Sequence, residues 1–272
     1  MDLVSHAYTS AVALNNAGIA LLERGRNDCA AKCFQDATVA IRLSLRRYEV
    51  ENKTDGRSTH AAQDMERKDL ERRVTAVSKT ICSLGPKSQE PKCIQVLSDG
   101  EWDSTVTDLA QSLGAQDSDE TPLMCVIHIE DAASSHDDKE FELESETTSA
   151  IILHNLGTTK LIQPIREKSE ESYQNGMLNA AQKTLKTALK IVQETQTRCQ
   201  RSNQEDSSLT RQAVCLASVL YSIVVLFSFI GASSEVEFYS RVLHNLTTSM
   251  NHYHATMGRF VRNRRVLCAS AA

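Results

Sequence analysis

Glycine and proline are scarce in this chain, ten and four among 272 residues. That excludes collagen-like and Pro/Gly-rich low-complexity readings and argues against a turn-dense all-β fold. Catalytic motifs are missing too. There is no GxSxG, HExxH, GxGxxG or phosphate-loop sequence. The cysteines and histidines sit in no recognisable nucleophile context, so an enzyme is not expected, and no cofactor is implied. The eight cysteines include no CxxC pair. The opening MDLVSHAYTS has no basic n-region, and Asn15 and Asn16 break the apolar stretch behind it. No signal peptide is predicted. The expected location is intracellular, in the cytoplasm, with reduced thiols packed as small hydrophobes and the sequons at Asn52 and Asn245 idle.

What the chain has is helix-forming sequence of uneven charge. Apolar residues make up 41% and charged residues 24%, with a net charge of −5. Residues 99–146 carry fifteen acidic side chains and one base, Lys139, so this window is −14 and the remainder +9. A nucleic-acid binder is not expected from that balance. The acidic block reads as a solvated insertion.

The apolar spacing predicts helices in pairs. Leu14, Ala17, Gly18 and Leu21 form one stripe. Gly25, Asn27 and Asp28 give a stop and a new start, and Ala30, Phe34, Ala37, Ile41 and Leu45 continue on a second helix. This first hairpin is assigned to residues 1–50. Over 61–85 an amphipathic helix carries an a/d-type seam of Leu70, Val74, Val77, Ile81 and Leu84. Residues 86–146 are assigned to the acidic, partly disordered insertion, with PLMCVIHIE (122–130) as a short extended run lying along the helices. A second hairpin covers 147–200, with Pro164 interrupting or ending its first helix. A third covers 207–258, and a basic tail with Arg259, Arg262, Arg264 and Arg265 covers 259–272.

The hairpins repeat. Gly18, Gly25, Ala30, Phe34 and Ala37 recur at the same offsets as Val224, Gly231, Val236, Ser240 and Leu243. Gly157 opens a further copy, and Gly176, Ala181, Leu185 and Ala188 supply its latter half. Small residues let two helices approach, and larger ones plug the neighbour. The pattern resembles the tetratricopeptide repeat, with its small residue on helix A, its turn glycine (Gly25, Gly176, Gly231) and its small–aromatic–small helix B. Gly18 and Gly157 lie 139 residues apart, so the copies are not tandem, and the usual proline after helix B is missing. The resemblance implies an all-α fold of antiparallel hairpins stacked as a short array. It implies a non-catalytic protein–protein interaction scaffold holding a protein or peptide ligand in a concave groove.

Helix A lines that groove in the family. The resemblance therefore points to Asn15, Asn16, Ile19 and Leu22, and to His154, Asn155, Thr158 and Leu161. Asn16 and Asn155 occupy equivalent offsets, and an amide there both donates to and accepts from an extended backbone. Each assignment has a plainer counterpart. The asparagines also read as buried hydrogen-bonded fixtures, and Ile19, Leu22 and Leu161 as ordinary core. Cys29 and Cys33 read as packed or surface thiols, not a metal pair, and His244, His252 and His254 lack ligand spacing, so no metal is expected. Two rival readings stand beside the scaffold. Residues 213–232 are uncharged and long enough to span a bilayer, which would make a single-pass anchored protein. The 70–84 seam offers a route to self-association.

Overall fold

The computed structural model describes residues 3–53, 60–84, 94–98, 124–129, 138–166, 171–202 and 206–250. The fold is all-α. Its helices are α1 (Leu3–Leu22), α2 (Asn27–Lys53), α3 (His60–Ser83), α4 (Asp138–Arg166), α5 (Glu171–Ser202) and α6 (Asp206–Phe229), followed by α7 over residues 233–250. Two five-residue strands, β1 (Ile94–Ser98) and β2 (Met124–His128), pair in parallel, with Ile94 opposite Met124 and Ser98 opposite His128.

The helices fold back on their neighbours through chemically similar turns. Gly25 has φ 70° and Gly231 has φ 74°, a left-handed conformation that costs a Cβ-bearing residue strain. At the first turn the Gly25 N–H donates to Leu22 O and the Arg26 N–H to Leu21 O. At the second the Gly231 N–H donates to Ser228 O and the Ala232 N–H to Phe227 O. Each pair satisfies carbonyls left open at a helix end. The α1–α2 hairpin is antiparallel, since Ser44, late in α2, donates its hydroxyl to Val4 O at the start of α1. In α4–α5, Arg198 near the end of α5 reaches Glu142 near the start of α4. In α6–α7, the Phe227 and Tyr239 rings stack 5.7 Å apart.

Equivalent close approaches hold the first two hairpins. A Cβ added at Gly18 would lie 2.7 Å from the Phe34 ring, and one at Gly157 would lie 2.8 Å from the Leu185 side chain. Both Phe34 and Leu185 are fully buried. Gly176 differs from its expected role at a turn. It lies inside α5, which starts at Glu171, and nothing approaches its Cβ position within 4 Å.

The acidic assignment needs correction at its C-terminal end. Residues 138–146 are helical, so α4 starts nine residues before the expected boundary of 147. Three carboxylates there are paired: Glu142 and Glu146 with Arg198, and Glu144 with Arg211. Counterions on α5 and α6 neutralise the repulsion that makes this sequence read as a solvated loop. Pro164 lies inside α4, two residues before its end at Arg166, and gives up the N–H that would reach the Lys160 carbonyl. Within 86–146 the 122–130 run is extended as expected. It finds a partner strand, IQVLS, that the sequence reading assigned to the insertion. Residues 99–123 and the basic tail 259–272 lie outside the described residues.

The 70–84 seam turns inward. Leu70 is buried, and Val74, Val77, Ile81 and Leu84 pack against the core. Arg47–Glu66 and Arg73–Asp36 ion pairs tie α3 to α2. Helix α6 is the most apolar element. Thr210–Phe229 has a mean hydropathy of 2.1, enough by length and composition to cross a membrane, and 89% of that stretch is buried inside the fold. An all-round apolar helix needs neighbours on every side. Here α4, α5, α7 and β2 supply them.

Candidate peptide groove

Helices α1, α4 and α6 run parallel, side by side, tied at two levels. Near their N-terminal ends the Tyr8 hydroxyl donates to Glu144 at 2.9 Å and meets the Thr148 hydroxyl at 3.1 Å. Arg211 completes the tie, donating to Glu144 at 3.2 Å and to Thr148 at 3.1 Å. Burial, opposed by Arg211, pushes the Tyr8 phenol up to about 12. Sequence reasoning passed over Tyr8, Glu144, Thr148 as a ligand and Arg211. The available signal was a lone arginine beside a twenty-residue uncharged run, which demands a carboxylate partner once buried.

The second level is amide chemistry. The Asn155 amide donates to Asn15 Oδ1 at 2.9 Å. His154 contacts Asn155 Oδ1 through Nδ1 at 3.3 Å and Ser222 Oγ through Nε2 at 2.9 Å. Thr158 meets the Ser222 hydroxyl at 3.2 Å. His154, Asn155, Thr158 and Ser222 are fully buried. Burial holds the His154 pKa at about 4, against the pull of its hydrogen bonds to Asn155 and the Ser218 backbone, so the ring is neutral. Ser222, His154 and Asn155 line up as a nucleophile–base–orienter set would. Asn155 also commits its amide to Asn15 and Ile127, and all three side chains are enclosed by packed neighbours.

That commitment is to the chain's own β2. The Ile127 N–H donates to Asn155 Oδ1 at 2.9 Å, and Ile127 O accepts from Asn155 Nδ2 at 2.8 Å. Asn15 adds a second donor to the same carbonyl at 3.2 Å. Two residues on, the Ile129 N–H donates to Asn16 Oδ1 at 3.1 Å, and Ile129 O accepts from Asn16 Nδ2 at 2.8 Å. An extended strand turns alternate N–H and C=O pairs to opposite edges. The pairs of Ile127 and Ile129 face the asparagines, and the intervening ones face β1. Asn16 and Asn155 thus stand where a third strand would, and they cover an edge that would otherwise be open.

Side-chain burial supplies most of the grip. Met124, Cys125, Val126, Ile127 and Ile129 are all 2% exposed or less, while His128 faces outward. Burial is worth roughly 1.5–3 kcal/mol for each Met, Val or Ile. Each amide–backbone bond adds only about 1 kcal/mol net, although leaving its partner unpaired costs more. The asparagines therefore set register and prevent a penalty, and the apolar faces hold the strand.

Five of the eight sequence-derived site residues, Asn15, Asn16, His154, Asn155 and Thr158, share one hydrogen-bond network, and Ile19, Leu22 and Leu161 take places in the core. Asn15, Ile19, Leu22, His154, Asn155, Thr158 and Leu161 are buried, and Asn16 is half-buried. Asn15, Asn16 and Asn155 touch the extended segment directly, while His154 and Thr158 brace Asn155 and Ser222. Comparison with protein-family models, curated proteins and solved structures returns no match.

Proposed function

We propose that this chain is a non-catalytic, tetratricopeptide-like interaction scaffold whose groove of parallel helices holds extended polypeptide by its backbone. The observation carrying this reading is the paired amide geometry of Asn16 and Asn155, each engaging both backbone groups of alternate residues, Ile129 and Ile127. Amide-to-backbone bonds ignore side-chain identity, so the grip tolerates sequence and asks only for an extended apolar segment with free N–H groups. The equivalent Gly18–Phe34 and Gly157–Leu185 approaches and the matched turns at Gly25 and Gly231 support the repeat likeness.

The test uses the full-length Ile127→Pro chain, in which the donor to Asn155 is gone, and a fluorescent peptide of residues 121–132, TPLMCVIHIEDA. The variant should bind the peptide saturably while wild type, its groove filled, does not. Asn16→Ala with Asn155→Ala in the same chain should abolish binding. A helical Ile127→Pro chain that ignores the peptide would refute the reading.

A further inference from the structure

We infer that the outward face of α3 docks an acidic α-helix of a partner protein, through a line of three cations that the fold leaves without counterions. This surface is separate from the groove that holds β2, and the inference stands without that reading.

Helical period sorts the side chains of α3 by face. Lys68, Arg72 and Lys79 fall at i, i+4 and i+11, within about 40° of one line along the helix. Leu70, Val74, Val77 and Ile81 lie about half a turn away and pack against the core. The three cations therefore point outward, and all are exposed.

Ion pairing singles out the same three. Glu66 of α3 pairs with Arg47, Arg67 with Glu71, and Arg73 with Asp36 and Asp69. Among the described residues Lys68, Arg72 and Lys79 enter no ion pair. Two acids border their line. Glu71 is held by Arg67 at 3.1 Å, and Asp64 lies one turn before Lys68. The line itself keeps its positive charge.

Its shape suits a helix. Lys68, Glu71, Arg72, Thr75, Ala76 and Lys79 border one open groove of about 530 Å³. Thr75 and Ala76 are small, so a second helix can approach closely at its centre. Along the axis the cations stand about 6 and 10.5 Å apart. An extended strand repeats one face about every 6.7 Å, so it meets the first gap and misses the second. A helix lying along α3 has the same rise, and its carboxylates at i, i+4 and i+11 meet all three cations together. Met65, three residues before Lys68 on the same side and 70% exposed, offers that helix an apolar contact. The chain's net charge of −5 works against a nucleic-acid duplex in this place.

Fluorescence anisotropy tests this with the full-length chain at low ionic strength. The probe is labelled (EAAAEAA)3, a helical peptide whose glutamates recur at i, i+4, i+7 and i+11 on one face. Wild type should bind it saturably, and added salt should weaken the complex. Each exposed ion pair is worth at most about fivefold in binding, so Lys68→Glu/Arg72→Glu/Lys79→Glu should lose about tenfold or more. The control (EAEAAAA)3 has the same composition with its glutamates on two opposite faces, and it should bind less tightly. Should the reversed chain lose wild-type helicity, Lys68→Gln/Arg72→Gln/Lys79→Gln takes its place. No saturable binding, an unchanged affinity in the substituted chain, or equal binding of the control overturns the inference. So does tighter binding of duplex DNA than of the peptide. Residues 99–123 carry seven acidic side chains and no base. Binding that appears only after those seven are changed to amides would give the face to the chain's own insertion and overturn the partner helix.

Discussion

Replacing Asn155 with alanine removes the amide that anchors β2 to α4. The Ile127 N–H then loses its acceptor, and Asn15 Oδ1 loses its donor, while Ile127 O keeps the weaker bond from Asn15. Asn155 and Asn15 are both fully buried, so water does not substitute. Two stranded buried groups at about 1–3 kcal/mol each give a loss of about 4 kcal/mol, a large share of a typical stability of about 5–15 kcal/mol. Asn16→Ala removes the same number of backbone bonds, but Asn16 is half-buried. Water enters where the half-exposed amide stood and takes over its bonds to Ile129, and the expected loss is about 1 kcal/mol. Urea unfolding followed by far-UV circular dichroism measures both, with unchanged slope. Amide exchange at Ile127 should accelerate in Asn155→Ala along with it. A loss under about 1 kcal/mol for Asn155→Ala, or equal losses for the two variants, would refute the claim that this amide substitutes for a neighbouring strand.

Gly18→Ala should cost about 1–3 kcal/mol in thermal or urea unfolding, because the new methyl meets the buried Phe34 ring at 2.7 Å. Gly176→Ala, in open space within α5, should instead stabilise by about 0.5–1 kcal/mol. Stability should also depend on acid through His154. Its folded pKa of about 4 lies below the ordinary 6.5, so the unfolded chain takes the proton first. The contribution is complete above pH 6.5 and falls as pH drops toward 4, by up to about 3 kcal/mol. His154→Gln should flatten that part of the pH–stability curve, and an unchanged slope would count against a neutral buried ring. Carbonate extraction of cells expressing the chain should leave it in the supernatant, since α6 is enclosed by protein. Retention in the membrane pellet would favour the anchored alternative.

Most helix positions, and Gly18 and Gly157 as small residues that let helices approach, were legible because helical period and residue size are local properties, while the partners that fill those approaches, Phe34 and Leu185, came from the tertiary structure. Asn16 and Asn155 were legible as amides suited to an extended backbone for the same reason: an amide has one chemistry wherever it is placed. The 122–130 run was legible as extended, its β-branched residues declaring a strand without declaring a neighbour. The pairing of β1 with β2 was not, since Ile94 and Met124 meet only across twenty-nine intervening residues. Nor was the helical state of 138–146, whose acidic residues repel until Arg198 and Arg211 are brought beside them. Local spacing by itself determined an all-α chain with close-packed hairpins and amides suited to an extended backbone. Only the tertiary structure decided that the backbone they hold is the chain's own at Ile127 and Ile129, because that contact is made by elements distant in sequence coming together.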